Sequence, residues 1–380
     1  MAVRSKPTPR RPDSPLLKFL QKQIAADGPV PVAAFMDLSL NHPDHGYYQS
    51  RDPFGADGDF TTAPEISQVF GELIGLWLAA AWQSAGRPAP FQLVELGPGR
   101  GQLMLDLIRA TAKVPGFLDA ANIHLVETSQ RLQAVQKIAL DSAPITWHER
   151  LDTVPSGHLF LIANEVFDAL PTHQLVRNER GWAERLVTWK DQGELAFSLG
   201  EAPPVLLEAV QELHASSPGS VTEVSPAREA LARAIAERIG RYGGTAAIID
   251  YGAWVDHATG DTLQAVKGHE PVDPLTAPGT VDLTTQVDFR RIGFAASQGG
   301  ADVFGPVPQG TFLRTLGVEV RTAALLNQAN REQGKRLREG LFRLTDASAM
   351  GEAFKVLALG SPTESPPPGF VAPSLRSVRR

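Results

Sequence analysis

Acidic side chains and glycines stand together where a predicted strand turns into a predicted helix. Residues 95–101 read Glu-Leu-Gly-Pro-Gly-Arg-Gly. Glycine allows the backbone to approach a ligand closely and to adopt φ values that other residues resist. The glycines have the spacing G-x-G-x-G, whereas the spacing G-x-G-x-x-G seats a pyrophosphate at a helix N-terminus. The segment therefore predicts a binding site for a ligand without a phosphate, with Glu95 near a cationic group of that ligand.

A second acid, Glu127, ends the apolar strand predicted at residues 122–126. A carboxylate at the tip of this strand can accept hydrogen bonds from both hydroxyl groups of a ribose. Glu127 lies 30 residues after Gly97, a longer separation than the ~20 residues of dinucleotide-binding folds. Together, Glu95 and Glu127 favour S-adenosylmethionine, which carries an ammonium and a sulfonium group, over NAD. The alternative interpretation of Glu127 is an exposed acid at a strand end.

A third polar segment, residues 164–171, follows the apolar strand predicted at residues 158–163. In an open parallel sheet, ligands bind beyond the carboxyl ends of the strands. Asn164, Glu165 and Asp168 are therefore predicted to line the side of the site where a second substrate meets the methyl donor. Capping of the following turn by Asn164 or Asp168 is the alternative interpretation.

Composition excludes several other classes of site. There are 36 basic and 42 acidic side chains, a formal net charge of -6 and no cysteine. Nucleic acid is therefore not expected as a partner, and disulfides, thiolate metal sites and cysteine nucleophiles are excluded; we predict no metal. The longest apolar run, residues 73–82, is shorter than the ~18–20 residues of a membrane span. It predicts a buried helix and no membrane insertion.

The elements that position these segments follow from residue periodicity. From residue 91, strands and helices alternate, which indicates parallel βαβ units. Strands are predicted at residues 91–95, 122–126, 145–148, 158–163 and 245–250, and helices at 101–112, 131–140, 203–214 and 226–239. The fold class is thus α/β, with a Rossmann-like sheet, a helical N-terminal extension and an inserted or C-terminal α+β elaboration.

Five regions are expected along the chain. They are a disordered tail at 1–13, a helical extension and lid at 14–90, a core at 91–290 with inserted elements at about 174–240, a mostly helical elaboration at 291–360, and a disordered tail at 361–380. Within the insert, residues 174–199 are predicted as antiparallel strands. A long buried helix is expected to start at the capping box Thr62–Glu65.

Seven blocks of the sequence resemble one methyltransferase family. They are residues 41–48, 58–67, 95–101, 164–171, 249–252, 273–279 and 282–284. The chain is similar over residues 15–358 to the S-adenosylmethionine-dependent methyltransferases that include the mitochondrial complex I assembly factor acting on a protein arginine. One departure is Gln264, where this resemblance leads us to expect an arginine.

The resemblance implies a class I methyltransferase that uses S-adenosylmethionine and acts on a protein. It implies symmetric ω-N-dimethylation of an arginine on a quinone-side subunit of complex I, in the mitochondrial matrix for a eukaryotic protein and in the cytoplasm for a bacterial one. Glu165 and Asp168 are the predicted catalytic residues, because two carboxylates match the forked donors of arginine. The oligomeric state is not addressed.

The other predicted site residues divide between donor and acceptor. For the cofactor they are Glu95, Gly97, Pro98, Gly99, Gly101, Glu127, Asn164, Phe60 and Thr61, and for the substrate side Tyr48, Phe167, Asp250 and Tyr251. Residues 58–65 are interpreted either as a lid, with Phe60 over the adenosyl group, or as a helix cap. Tyr48 is alternatively a core anchor.

Two other functions stay open at this point. One is an assembly chaperone with a methyltransferase fold and little catalysis. The other is an NAD-dependent oxidoreductase, which the missing G-x-G-x-x-G spacing disfavours.

Overall fold

The computed structural model describes residues 14–50, 61–141, 143–190, 194–213, 216–257 and 259–378. The first half of the chain forms α1 (Pro15–Asp27), β1 (Val30–Pro31), α2 (Val32–Asn41), α3 (Tyr47–Ser50), α4 (Ala63–Ile66), α5 (Gln68–Ser84), β2 (Phe91–Leu96), α6 (Gln102–Thr111), α7 (Phe117–Ala120), β3 (Ala121–Val126), α8 (Gln130–Ala139), β4 (Ile145–His148) and β5 (Leu159–Asn164).

The second half begins with an insert and returns to the sheet. Its elements are β6 (His173–Asn178), β7 (Gly181–Lys190), β8 (Glu194–Glu201), α9 (Pro204–Glu208), β9 (Val221–Val224), α10 (Pro226–Tyr242), β10 (Gly244–Ala253), β11 (Gln264–Lys267), β12 (Glu270–Val272), β13 (Asp282–Thr284), β14 (Val287–Asp288), α11 (Phe289–Gly299), β15 (Asp302–Pro308), α12 (Gln309–Thr315), α13 (Val318–Leu326), α14 (Arg331–Thr345), α15 (Met350–Ala353) and β16 (Phe354–Gly360).

The central sheet has the strand order β15-β16-β10-β5-β2-β3-β4, with β14 beside β10. β2, β3, β4, β5 and β10 are parallel, as the alternating pattern predicts. The chain runs outward from β2 through β3 to β4 and then returns to the other side of β2 as β5. The strand order therefore reverses between β2 and β5, and such a switch point opens a crevice at the carboxyl ends of the strands.

Besides its helices, the region 291–360 contains two strands that were not predicted. β15 and β16 complete the central sheet, and β16 pairs antiparallel with both β10 and β15. Val356–Leu359 are fully buried, so the outward-facing polar residues that make a strand visible in sequence are missing. The core sheet thus extends beyond the expected boundary at residue 290.

The N-terminal helices differ from the prediction in where the long buried helix begins. Ser14 caps α1 by accepting a hydrogen bond from the N–H of Leu17. The long buried helix begins at Gln68 rather than at the Thr62 capping box, because α4 ends at Ser67 and the side chain of Ser67 caps α5. Thr62 makes no side-chain cap bond.

The inserted region forms its own antiparallel sheet. β6, β7 and β8 confirm the strands predicted within residues 174–199, and β1 and β9 join the same sheet. The helix predicted at 203–214 is limited to α9, which ends at Glu208. A smaller sheet of β11, β12 and β13 covers one side of the crevice.

Residues 361–378, expected to be a disordered tail, pack against the core. The Trp77 indole N–H donates to the Pro368 carbonyl at 2.8 Å, and Leu375 pairs with Val303 of β15. Proline prevents helix or central strand here, but it does not prevent an irregular segment from binding the surface.

Within the described residues, no helix combines the length and the apolar composition needed to cross a membrane.

Candidate active site

A cleft of about 880 Å³ opens at the switch point between β2 and β5. The predicted site residues that line it are Tyr48, Thr61, Glu95, Gly97, Pro98, Gly99, Glu127, Asn164, Glu165, Asp168 and Tyr251. Gly101, Phe167 and Asp250 do not line the cleft. Phe60 lies outside the described residues.

The glycine turn after β2 requires its glycines. Gly97 has φ +56° and Gly99 has φ +53°, in the left-handed region that side chains disfavour. A Cβ atom on Gly97 would lie 2.8 Å from Cγ2 of Val166. Gly101, the third glycine, begins α6 with φ +85° and packs near Leu140, so its role is to shape the turn.

Glu95 presents a buried carboxylate at the end of β2. It is 3% exposed, and its Oε2 atom has no hydrogen-bond partner in the described part of the chain. Burial raises its pKa to about 8, although the N–H of Met104 bonds to the carboxylate and opposes that rise. A buried carboxylate oxygen without a partner is costly. An ammonium group beside Glu95 would offset that cost, which fits the amino-acid end of S-adenosylmethionine.

Glu127 is held in place by a network that the sequence did not reveal. Its Oε1 accepts the Ser129 N–H at 2.8 Å, and its Oε2 accepts from Nε2 of Gln136 at 3.3 Å. The same Gln136 nitrogen donates to the Gly99 carbonyl at 2.8 Å. Gln136 on α8 therefore connects the glycine turn to the predicted ribose carboxylate. Burial raises the pKa of Glu127 to about 7.

Glu165 occupies a strained position directly after β5. Its φ is +54°, which is uncommon for a residue with a side chain. Oε1 of Glu165 accepts the Ala63 N–H at 3.0 Å and Nδ2 of Asn164 at 3.1 Å. Burial raises the pKa of Glu165 to about 7, and Asp168 contributes to the same rise. The carboxylate is therefore fixed against the start of α4, the segment predicted as a lid.

Asp168 is the second buried carboxyl group of this loop. Its Oδ1 atom has no hydrogen-bond partner among the described residues. Burial raises its pKa to about 6, and the nearby charge of Arg228 opposes the rise. Asp250 lies behind the loop, where its Oδ2 accepts the N–H groups of Phe167 and Asp168 at 3.0 and 3.1 Å. Phe167 is fully buried in the core. Asp250 and Phe167 were predicted to lie on the substrate side of the site. In the structure neither lines the cleft, and Asp250 instead supports the loop from behind.

Two tyrosines and a small sheet complete the cleft opposite the glycine turn. The Tyr48 hydroxyl donates to Oδ1 of Asp282 at 3.2 Å, and the Tyr251 hydroxyl donates to Oγ1 of Thr284 at 2.6 Å. Nε2 of Gln264 donates to the Tyr251 hydroxyl at 2.8 Å. Burial raises the pKa of both phenols. Asp282 and Thr284 were not selected from sequence, although residues 282–284 form one of the family-like blocks.

The cleft thus has two parts with different chemistry. The donor half consists of residues 95–100 and Glu127, which Gln136 of α8 supports, and its acidic and backbone groups suit a cationic ligand with a ribose. The acceptor half consists of Glu165, Asp168 and the residues around Tyr48 and Tyr251. Its two carboxyl groups suit a second cation.

Several known proteins are similar to this chain over most of its length. The chain is 38% identical to "Protein arginine methyltransferase NDUFAF7, mitochondrial" of Xenopus laevis, over 93% of this chain and 86% of that protein. It is 36% identical to the Homo sapiens protein of the same name, over 92% and 84%. A crystal structure from Burkholderia thailandensis with S-adenosyl-homocysteine bound matches with a TM-score of 0.81 and 29% identity, over 91% of each chain.

A sheet with this switch point, a donor half built for a cation and this similarity identify an S-adenosylmethionine-dependent methyltransferase. The alternative of an NAD-dependent oxidoreductase is therefore wrong. Within the class, the chain belongs to the S-adenosyl-L-methionine-dependent methyltransferase family Methyltransf_28, whose model matches residues 73–307.

Proposed function

We propose that this enzyme methylates an arginine side chain of a partner protein. The observation that carries the proposal is the pair of carboxyl groups in the acceptor half of the cleft, half-buried Glu165 and buried Asp168. An arginine stays protonated in proteins and presents forked donors. Two carboxylates suit that fork better than they suit the point charge of lysine. The names of the relatives, protein arginine methyltransferases, support the same acceptor.

The side chains of the loop have separate tasks in this reaction. S-adenosylmethionine supplies a methyl group on a sulfonium, which an acceptor nitrogen can take. Ionised Glu165 pairs with the guanidinium and localises its positive charge, so that one nitrogen keeps lone-pair character. Glu165 is suited to this because Ala63 and Asn164 fix its Oε1. Holding that nitrogen in place lowers the barrier by proximity.

Asp168 is proposed to take the proton that the methylated nitrogen loses. Its Oδ1 has no partner among the described residues, and the charge of Arg228 opposes the rise in pKa that burial causes, which favours the ionised form. Tyr48 and Tyr251 enclose the guanidinium and keep water away from it. The phenols stay neutral because burial raises their pKa.

The acceptor protein is proposed to be a quinone-side subunit of respiratory complex I, with symmetric dimethylation as the product. The family resemblance supports this acceptor. The test incubates the purified enzyme, S-adenosylmethionine and the isolated subunit, and locates the methyl groups by mass spectrometry. Symmetric dimethylarginine on the subunit is expected. A methyl group on lysine or on a small molecule would refute the proposal.

The same assay separates an enzyme from a chaperone. If the protein is an enzyme, the Glu165→Gln variant loses methyl transfer but still binds the subunit. If wild type binds the subunit but transfers no methyl group under any condition that saturates donor binding, the chaperone interpretation is correct.

A further inference from the structure

Arg228 is a buried cation that contacts the acceptor half from behind. It lies on α10, is 4% exposed and does not line the cleft. Its Nε donates to the Phe167 carbonyl at 2.5 Å, and its Nη2 donates to the Asp168 carbonyl at 2.9 Å. The guanidinium therefore holds the backbone of the loop that carries the proposed proton acceptor.

The same guanidinium binds a second segment of the acceptor half. Nη2 also donates to the carbonyl and Oγ1 of Thr285, at 3.0 and 2.6 Å, and Nη1 donates to the Gln286 carbonyl at 2.7 Å. These residues follow β13, which carries Asp282 and Thr284 into the cleft. Arg228 thus ties the two acceptor-lining segments to each other.

Asp250 completes the arrangement with a buried carboxyl group, whose pKa is raised by burial and by Asp168 and Glu165 and lowered by Arg228. Its Oδ2 accepts the N–H groups of Phe167 and Asp168, whose carbonyls Arg228 binds. Phe167 and Asp168 therefore have their N–H groups bound by the Asp250 carboxyl group and their carbonyl groups bound by the Arg228 guanidinium. Burying the Arg228 charge costs free energy, and neutral donors would satisfy the same carbonyls. A cation at this position is explained by what it does to the neighbouring Asp168 carboxyl group.

We propose that Arg228 is a positioning residue of the methyl-transfer step, which holds the backbone of the loop and thereby fixes the Asp168 carboxyl group against the acceptor nitrogen. This inference rests on the function proposed above. Arg228 was not selected from sequence, where it is one arginine of an ordinary amphipathic helix.

Among the described residues, several charged or titratable groups act on Asp168 or share its surroundings. They are Arg228 on α10, Asp250 and Tyr251 on β10, Glu165 in the same loop and Tyr48 on α3. Arg228 is the cation among them, and its charge lowers the pKa of Asp168 against the effect of burial. Without it, Asp168 would need a higher pH to ionise.

The test compares Arg228→Gln, which removes the charge, with Arg228→Lys, which keeps the charge but lacks the fork. In Arg228→Gln we expect kcat to fall at least tenfold at pH 7, and the acid limb of the kcat profile to move to higher pH. In Arg228→Lys, kcat falls but the limb stays near its wild-type position. The Kd for S-adenosyl-homocysteine stays within twofold of wild type in both variants.

Arg291→Gln is the matched control. Arg291 on α11 also binds a carbonyl, that of Ala209, and its partners Glu229 and Asp288 do not line the cleft. It should keep the wild-type kcat and pH profile. If neither Arg228 variant folds, Thr285→Val removes one hydroxyl partner of the guanidinium, and a two- to fivefold loss of kcat is expected.

Hydrogen exchange of the peptide covering residues 165–170 gives a readout that is independent of turnover. Faster exchange in the Arg228 variants, with the fall in kcat, supports the inference. Faster exchange with a wild-type kcat and acid limb would mean a purely structural role of Arg228 and would overturn the inference. Unchanged exchange would overturn it as well. Turnover of every variant is measured on the residue that the wild-type enzyme methylates. If that residue is not an arginine, the proposed function is refuted, but the comparison of the Arg228 variants with wild type is still valid.

Discussion

The donor and acceptor halves of the cleft are built in different ways. The donor half comes from residues close together in sequence, at the ends of the neighbouring strands β2 and β3. The acceptor half gathers side chains from Tyr48, the loop after β5, Tyr251 and β13. A local turn is encoded by glycine and its spacing, whereas a site assembled from distant segments depends on the packing of the whole chain. We therefore expect changes in one half to leave the function of the other nearly intact.

Replacing Gly99 with Val is expected to have the largest effect. Valine resists φ +53°, and its side chain would stand where the donor passes. Donor affinity should fall more than about a hundredfold, the scale set by a few kcal/mol of strain and lost contact. Calorimetric titration with S-adenosyl-homocysteine measures this. Gly86→Val is the control, since Gly86 has φ +83° but nothing within 4 Å of an added Cβ. Equal donor affinity in the two folded variants would refute this placement of the donor.

Glu165→Gln should have the next largest effect, and in the acceptor half alone. The amide keeps the size of the side chain but removes the charge that pairs with the guanidinium. Turnover should fall by roughly 2.7–4 kcal/mol in barrier, the scale for loss of one key electrostatic partner. Donor Kd and kcat are measured on the same preparation. A comparable loss of donor affinity would show that the two halves are not separate.

Glu127→Ala should weaken donor binding by roughly 1.5–3 kcal/mol, the value of hydrogen bonds to a charged group. The kcat at saturating donor should stay near that of wild type. Glu179→Ala, at an exposed position of the inserted sheet, is the control for general effects of losing a carboxylate. A change of only a few tenths of a kcal/mol for Glu127→Ala would place the ribose elsewhere.

Donor affinity should also depend on pH through Glu95. Its pKa of about 8 in the free protein means that it is mostly protonated at pH 7, and a bound ammonium favours the ionised form. Binding therefore releases a proton, and affinity rises up to about tenfold per pH unit below pH 8. The free energy of unfolding of the free protein changes with pH in the opposite direction. Because the pKa of Glu95 is raised in the folded protein, stability is lost as the pH rises from the usual carboxyl pKa near 4.5 towards 8.

Calorimetric titrations of the protein with S-adenosyl-homocysteine, in two buffers with different ionisation enthalpies, measure the released proton directly. Glu95→Gln should abolish both the proton release and its share of the pH slope. Proton release that persists in this variant would assign the titration to another group.

Gln264→Ala should have the smallest effect. Its Nε2 makes neutral hydrogen bonds to Tyr251 and Thr284, each of which contributes about 0.5–1.5 kcal/mol. We expect the KM for the acceptor protein to rise roughly two- to tenfold while donor affinity is unchanged. An altered donor Kd would show that β11 contacts the donor half as well.

The same contrast explains what could be predicted from sequence. The parallel sheet and the glycine turn were predictable because strands, helices and glycine spacing are local signals. Glu95 and Glu127 followed from their places at strand ends. Gln136 and Arg228 were not predictable, because each acts through backbone atoms of a distant segment and nothing in its own surroundings distinguishes it.

The directions of the side chains in the loop after β5 could not be predicted from the sequence either. Glu165 adopts a left-handed φ, and the turn that results sends Phe167 into the core and leaves Val166 at the cleft. Propensity gives no signal for a glutamate in that conformation. β15 was missed because Gly305 and Pro306 interrupt it, and β16 because a short apolar run fits a buried helix equally well.

The position of β16 has a consequence for the synthesis of the protein. β16 lies between β10 and β15, yet it is made after both of them and after α11 to α15. While these helices emerge from the ribosome, β10 presents an unpaired edge, because no earlier strand covers the side that β16 will take. Exposed strand edges invite pairing with other chains. Aggregation and chaperone capture therefore compete with folding during this interval, which ends only when residues 354–360 have left the ribosome.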